Sequence, residues 1–299
     1  MEQEPRTASV EQRGPKKFGT GIVIRNFWVR HAQKTSGEII NAEMTSITSD
    51  LISEDGAEKS KQYGEAVVSY EHGVKGYASS SGRTAQTLEK ILEGYQTENP
   101  DKPIRSMRVR EELTSHTPKE FLSLYDQKFT EQKRRILSEM GLPENGFASL
   151  SPGEQERIAE AAEEPIIREW LDNPESQLSK SYPPIEAAAR FARLFNRRHE
   201  RLAGKLYSKS EIDLFHVTHK TITEPFLISG VLVRKSNGER ITTLQQLGGS
   251  LATLGDWQSE VTTGDTGGSK IIIRIRGEEY DIDHSVLENL LQAQIEKEG

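Results

Sequence analysis

The chain has 299 residues, a hydrophobic fraction of 34%, a charged fraction of 28% and a formal net charge of −7. Its length fits one large domain or two small ones, with enough apolar material for a sizeable core. The acidic balance speaks against a sequence-independent grip on nucleic acid, and the lack of cysteine rules out disulfides, thiolate metal sites and thiol nucleophiles. No apolar run approaches the roughly 20 residues that span a bilayer, so neither nucleic acid nor membrane is expected as partner, and the expected setting is cytoplasmic.

Residues 1–20 are expected as a tail, charged and broken by Pro5, Gly14 and Pro15, without the apolar core of a secretory signal. A strand follows at Ile22–Val29. Ser53 then reads as an N-cap, opening a helix with an apolar stripe of Tyr63, Ala66, Val67 and Tyr70. A strand at Val74–Ala78, a helix from Thr84 with Ala85, Leu88 and Leu92, and a strand at Ile104–Val109 repeat the alternation. This order predicts an α/β fold: three αβα layers around a mainly parallel central sheet.

Residues 117–183 read as a helical insertion. "TPKE" and "SPGE" have the form of capping boxes, and Phe121, Leu124, Tyr125, Ile166, Ile167 and Trp170 mark buried helix faces. The insertion covers the sheet's edge or mouth, as a lid or as a plain helical layer. A further helix carries Ala188, Phe191, Ala192 and Phe195 after Pro183–Pro184, and a fourth strand runs over Ile212–Thr218. One domain is therefore expected over 21–235. Residues 236–299 form an extension packed on it, with a hairpin turning at Gly277–Glu278 and a closing amphipathic helix in "VLENLLQAQI".

Open parallel sheets bind ligands beyond the C-terminal ends of their strands. The four predicted strand ends carry Arg30–His31, "SSSGR" with Arg83, "REEL" with Glu111 and Glu112, and "HVTHKT" with His219. A neutral imidazole can carry a phosphoryl group, guanidinium forks suit its oxygens, and a carboxylic acid can protonate the leaving oxygen. Two histidines, two arginines and nearby acids make the set that phosphoryl transfer through histidine requires. His216, three residues before His219, points to the opposite strand face, which argues against a shared metal. His72, His199 and His284 sit among surface-like charges. Neither metal nor cofactor is expected.

On these pieces the sequence resembles the histidine phosphatase superfamily, which includes the cofactor-dependent phosphoglycerate mutases. "VRHAQKT" resembles its Arg-His-Gly signature, and "LISEDGAEKSKQYGEAV" resembles the start of its first helix. "YASSSGRTAQTLEKIL" resembles its Ser-Pro-Leu-x-Arg segment, and "DLFHVTHKTITEPFL" resembles the strand ending in its second catalytic histidine. The resemblance covers most of 22–110 and 184–228. It implies that His31 is the nucleophile, that Arg30 and Arg83 bind phosphoryl oxygens, and that His219 completes the pocket. Ala32 replaces the signature glycine, and Gln33 stands where an acid is frequent. Ser115 occupies the position where the family has its glutamate. Glu112 is therefore the preferred proton donor, with Glu111 and His116 as alternatives. Lys34, Glu111 and Lys220 are expected to touch substrate.

The function expected is hydrolysis of a phosphomonoester, on a small phosphorylated molecule or a phosphoprotein, through phosphohistidine. Three alternatives remain: a non-catalytic phosphate-binding member of the fold, a phosphomutase, or a serine α/β-hydrolase using Ser80 in "ASSSG".

Overall fold

The computed structural model describes residues 18–33, 51–67, 73–266 and 268–298. The expected tail up to residue 17, Lys34, Tyr70 and His72 lie outside them. Strand β1 (Val23–Arg30) leads to helix α1 (Glu54–Ala66), β2 (Val74–Ala78), α2 (Gly82–Glu98) and β3 (Ile104–Val109). The inserted helices are α3 (Lys119–Glu139), α4 (Pro152–Asp172) and α5 (Gln177–Ser181), followed by α6 (Pro184–Asn196). Then come β4 (Glu211–Thr218), α7 (Lys220–Leu227), β5 (Leu232–Arg234) and α8 (Leu244–Leu247). The chain closes with β6 (Asp256–Thr263), β7 (Ser269–Ile275), β8 (Glu278–Ile282) and α9 (His284–Glu298). Among these described helices none is long and apolar enough to cross a membrane.

One eight-stranded sheet runs in the order β3-β2-β4-β1-β6-β7-β8-β5. The first four strands are parallel, as the alternation of strands and helices predicts. From β1 onward through β6, β7, β8 and β5 every pairing is antiparallel, so the sheet is mixed. The hairpin between β7 and β8 turns on Arg276 and Gly277, both with positive φ (52° and 80°), the two-residue turn that matches strand twist. β6 was not anticipated. Its inward positions include Ser259 and Thr263 beside Trp257 and Val261, so its sequence lacks an apolar stripe.

Ser259 is fully buried and fully used: Trp28 Nε1 donates to its hydroxyl at 3.0 Å, and His199 Nε2 lies 2.6 Å away. His199 is thus not the surface residue its neighbours suggested. It is completely buried and stacked on Phe195, with ring centroids 3.7 Å apart. His216 is buried as well, between the rings of Trp28 and Tyr77 and 3.0 Å from Asn26 Oδ1. Side chains on alternate faces of β1 feed two apolar layers. Trp28 packs with Phe191, Phe195 and Trp257 under α6. Phe27 and Val29 pack with Leu88, Ile91 and Tyr95 under α2.

Ser53 caps α1 as its sequence requires, accepting the Gly56 N–H at 3.0 Å. The residues of α1 buried outright are Gly56, Ser60 and Gly64; of the expected stripe, Tyr63 and Val67 are partly buried against the core and Ala66 is exposed. A Cβ on Gly64 would lie 2.0 Å from the Ile91 carbonyl oxygen, and one on Gly94 would lie 1.9 Å from that of Lys61. The helices meet backbone to backbone. "SPGE" forms its capping box at Ser151 and Glu154, whereas "TPKE" does not: α3 starts after Pro118, and Thr117 bonds Ser115 instead. Gly64→Ala should separate α1 from α2 and destabilise the protein by about 1–3 kcal/mol or more in a denaturant titration, against near-neutrality for an exposed α1 substitution such as Glu58→Ala.

Candidate active site

Parallel pairing of β1 with β4 sets Arg30 level with Thr218, and the His31 N–H donates to the Thr218 carbonyl at 3.0 Å. The residues just past the two strand ends therefore converge. The rings of His31 and His219 meet edge to face with centroids 5.0 Å apart. His31 Nδ1 lies 2.8 Å from the Ala32 carbonyl oxygen, which can only accept, so Nδ1 carries the proton and Nε2 keeps its lone pair. Ala32 is buried, donates its N–H to Thr87 Oγ1 at 3.0 Å, and is not among the positive-φ residues. The backbone here asks for no glycine.

His219 Nε2 lies 3.2 Å from the hydroxyl of the buried Ser79. Burial, reinforced by Arg83, His219 and Arg30, pushes His31 well below the usual imidazole range. Burial, with Arg83 and Arg30, takes His219 down to about 3. Both rings are neutral at neutral pH.

Arg30 is held on two sides. Its Nη1 donates to the Leu251 carbonyl at 2.8 Å, and its Nη2 to Glu163 Oε2 at 2.9 Å. The same carboxylate oxygen takes Lys220 Nζ at 2.5 Å, and the Tyr125 hydroxyl donates to the other. Arg30 Nε is buried without an acceptor. Burial alone would raise the Glu163 carboxyl, but Arg30 and Lys220 outweigh it and hold it at about 2. Leu251 is fixed from behind: its N–H donates to Glu224 Oε1 at 2.6 Å. Arg276, at the β7–β8 turn, clamps the preceding carbonyls of Leu247 (2.8 Å) and Ser250 (2.7 Å). Glu163 and Tyr125 come from the insertion, so α3 and α4 stand over the mouth of the sheet.

The acidic candidates are elsewhere engaged. Glu112 bonds Arg197 Nη1 at 2.7 Å with its side chain 39% exposed, a surface ion pair and not a donor poised at the histidines. Glu111 is exposed, 3.9 Å from His116, which is exposed as well. Ser115 stands 3.2 Å from the Thr221 hydroxyl, at the start of α7. Lys220, expected at the substrate, is buried in the Glu163 ion pair. The Ser80 hydroxyl meets Thr114 at 2.9 Å, and it is Ser79 that pairs with His219, so the esterase constellation does not form. Among the described residues no three His, Asp or Glu side chains gather as a metal site.

Glu163, Glu224 and Ser79 were not singled out from the sequence, and Tyr125 was read only as part of a buried helix face. A signal existed for two of them. Glu163 lies three and four residues before Ile166 and Ile167, on a buried helix stripe, and Glu224 interrupts the apolar run "TITEPFL". An acid on an apolar face needs a buried partner.

No family model matches the sequence, and no curated protein does. Solved structures similar in fold include a phosphoglycerate mutase from Bacillus anthracis str. Sterne, at 12% identity over 91% of this chain and 98% of that one (TM-score 0.41). A phytase from D. castellii matches at 12% identity over 97% and 82% (TM-score 0.49), and the Hafnia alvei phytase at 10% over 94% and 98% (TM-score 0.47). These are histidine phosphatase superfamily members.

Removing the Glu163 charge leaves Arg30 and Lys220 buried without a counter-charge, so Glu163→Gln should cost about 3–5 kcal/mol at neutral pH. A carboxyl lowered from 4.5 to about 2 contributes stability above the higher value and loses it as pH falls toward the lower. The gap between wild type and variant in urea titrations should therefore shrink across that acid window and stay constant above it.

Proposed function

We propose that the chain hydrolyses a phosphomonoester, on a small phosphorylated molecule or a phosphoprotein, through a phosphohistidine on His31. The observation that carries this reading is the fixed tautomer of His31, with Nε2 unprotonated beside His219. In the first step the Nε2 lone pair forms a bond to phosphorus while the phosphorus–oxygen bond to the leaving alcohol breaks. Water then attacks phosphorus, the P–N bond breaks, and inorganic phosphate leaves with neutral His31 restored; the proton that this water releases balances the one the leaving oxygen takes up from solvent. The Arg30 Nε–H, buried and unpaired, is a donor for a phosphoryl oxygen. The positive charges of Arg30 and Arg83, both felt by His31, offset charge on the transferring group.

Proton delivery is the weak member of the set. Glu112 is taken up by Arg197, and Ser115 with Thr221 offers hydroxyls where an acid would stand. A general acid contributes about 10²–10⁴ in rate when the leaving oxygen is basic. That observation also favours a second reading, a phosphate-binding protein of the same fold that does not turn over.

Aryl phosphates, whose leaving oxygen needs no proton, should be hydrolysed at least ~10²-fold faster in kcat/KM than alkyl phosphates. His31→Ala should abolish both turnover and acid-labile labelling of the protein by a ³²P ester; no labelling of the folded wild type would favour the binding protein. Because the free His31 is neutral far below the ordinary histidine value of about 6.5, kcat/KM should show no loss centred near that pH. A break there in the pH profile would contradict the proposed role of the free imidazole.

A further inference from the structure

The β3 edge of the parallel half-sheet carries a group of cations that phosphoryl transfer at His31 does not use. Lys75 and Tyr77 on β2 are in register with Ser106 and Arg108 on the edge strand β3, so all four share one face. Arg198, beyond the end of α6, lays its guanidinium 4.2 Å over the Tyr77 ring, and Arg110 lies 5.6 Å from the same ring. The protein as a whole is acidic, with a formal charge of −7. Yet among the described residues no carboxylate forms an ion pair with Lys75, Arg108, Arg110 or Arg198. Glu112, whose charge reaches Arg198, is bonded to Arg197.

Arg198 is only 9% exposed, and its Nε, like that of Arg110, is buried without an acceptor. Burial, with Arg105, Arg108 and Arg198 adding to it, lowers Lys75. Cations crowded in this way repel one another and hold unpaired donors away from water. Stacking on Tyr77 accounts for Arg198 alone, and charge at an exposed edge strand accounts for Arg108 alone. Neither explains why buried guanidinium donors are gathered around one ring with no anion among them.

We infer that Lys75, Arg108, Arg110 and Arg198 form a second oxyanion site, which takes a phosphate group other than the one transferred at His31. Guanidinium forks match the oxygens of such a group. The site opens beside the mouth: the Arg110 N–H donates to the Ala78 carbonyl at 2.8 Å, and the next residue, Ser79, is the partner of His219. A substrate with two phosphates, or a separate phosphate ion, supplies the same chemistry. The link to substrate rests on the phosphatase reading above; the anion site itself does not.

Calorimetric titration of His31→Ala with inorganic phosphate should resolve two classes of site. Adding Arg108→Gln and Arg110→Gln, both outside the buried core, should weaken one class at least ~10-fold with the melting temperature unchanged. A single class in the parent, or two unchanged classes in the double variant, would overturn the inference. On the His31-intact protein, a raised KM for fructose 1,6-bisphosphate with an unchanged KM for p-nitrophenyl phosphate identifies a second substrate phosphate as the occupant. Loss of the binding class with both KM values unchanged identifies a separate anion and equally supports the site. A protein that hydrolyses neither ester but loses that class retains the anion site and refutes the phosphatase reading.

Discussion

Arg30 is where the parts of this molecule are joined. A guanidinium at the end of a central strand, largely withdrawn from water, is tolerable only with a counter-charge and acceptors in place. The structure meets that demand from two directions, with Glu163 from inserted helix α4 and the Leu251 carbonyl from the loop before β6, while Lys220 from α7, itself a cation, shares the same carboxylate. Each partner is itself braced, Glu163 by Tyr125, Leu251 by Glu224, and the loop by Arg276 of the β7–β8 turn. The insertion and the C-terminal strands are thereby tied to one side chain of β1.

That arrangement bears on the chemistry. Burial, reinforced by the positive field that would hold a phosphoryl group, keeps both histidines neutral, which a nucleophilic imidazole requires. Glu163 offsets part of the field. Being held near pH 2, it acts as a fixed negative charge and not as a source of protons. The carboxylate within the mouth is thus structural and electrostatic, while the carboxylates beside the third strand's end face solvent.

Much of the frame was legible. Alternation of short β-branched runs with helical stripes located β1, β2, β3 and β4, and the strand-end rule brought His31 and His219 to one place. Ser53 and "SPGE" capped their helices because a side-chain oxygen and a nearby backbone N–H suffice for that. Where the sequence misled, the cause was burial of polar or small groups. Ser259 and Thr263 hid β6, glycines hid the α1–α2 contact, and His199 lay deep among aromatic rings despite its charged neighbours.

By itself, then, the sequence determined the α/β order, the strand ends that deliver Arg30, His31, Arg83 and His219, and the resemblance from which roles for them are expected. Those features depend on short-range periodicity and on spacing within a single element. Only the tertiary structure decided what neutralises Arg30, which imidazole nitrogen of His31 is free, and that Glu112 belongs to Arg197. These depend on distances between residues far apart in the chain, 133 positions for Arg30 and Glu163 and 85 for Glu112 and Arg197, or on side-chain rotation at fixed positions. Neither leaves a periodic trace along the chain. The stretch from Arg30 to His31 could be read as a site; the company it keeps could not.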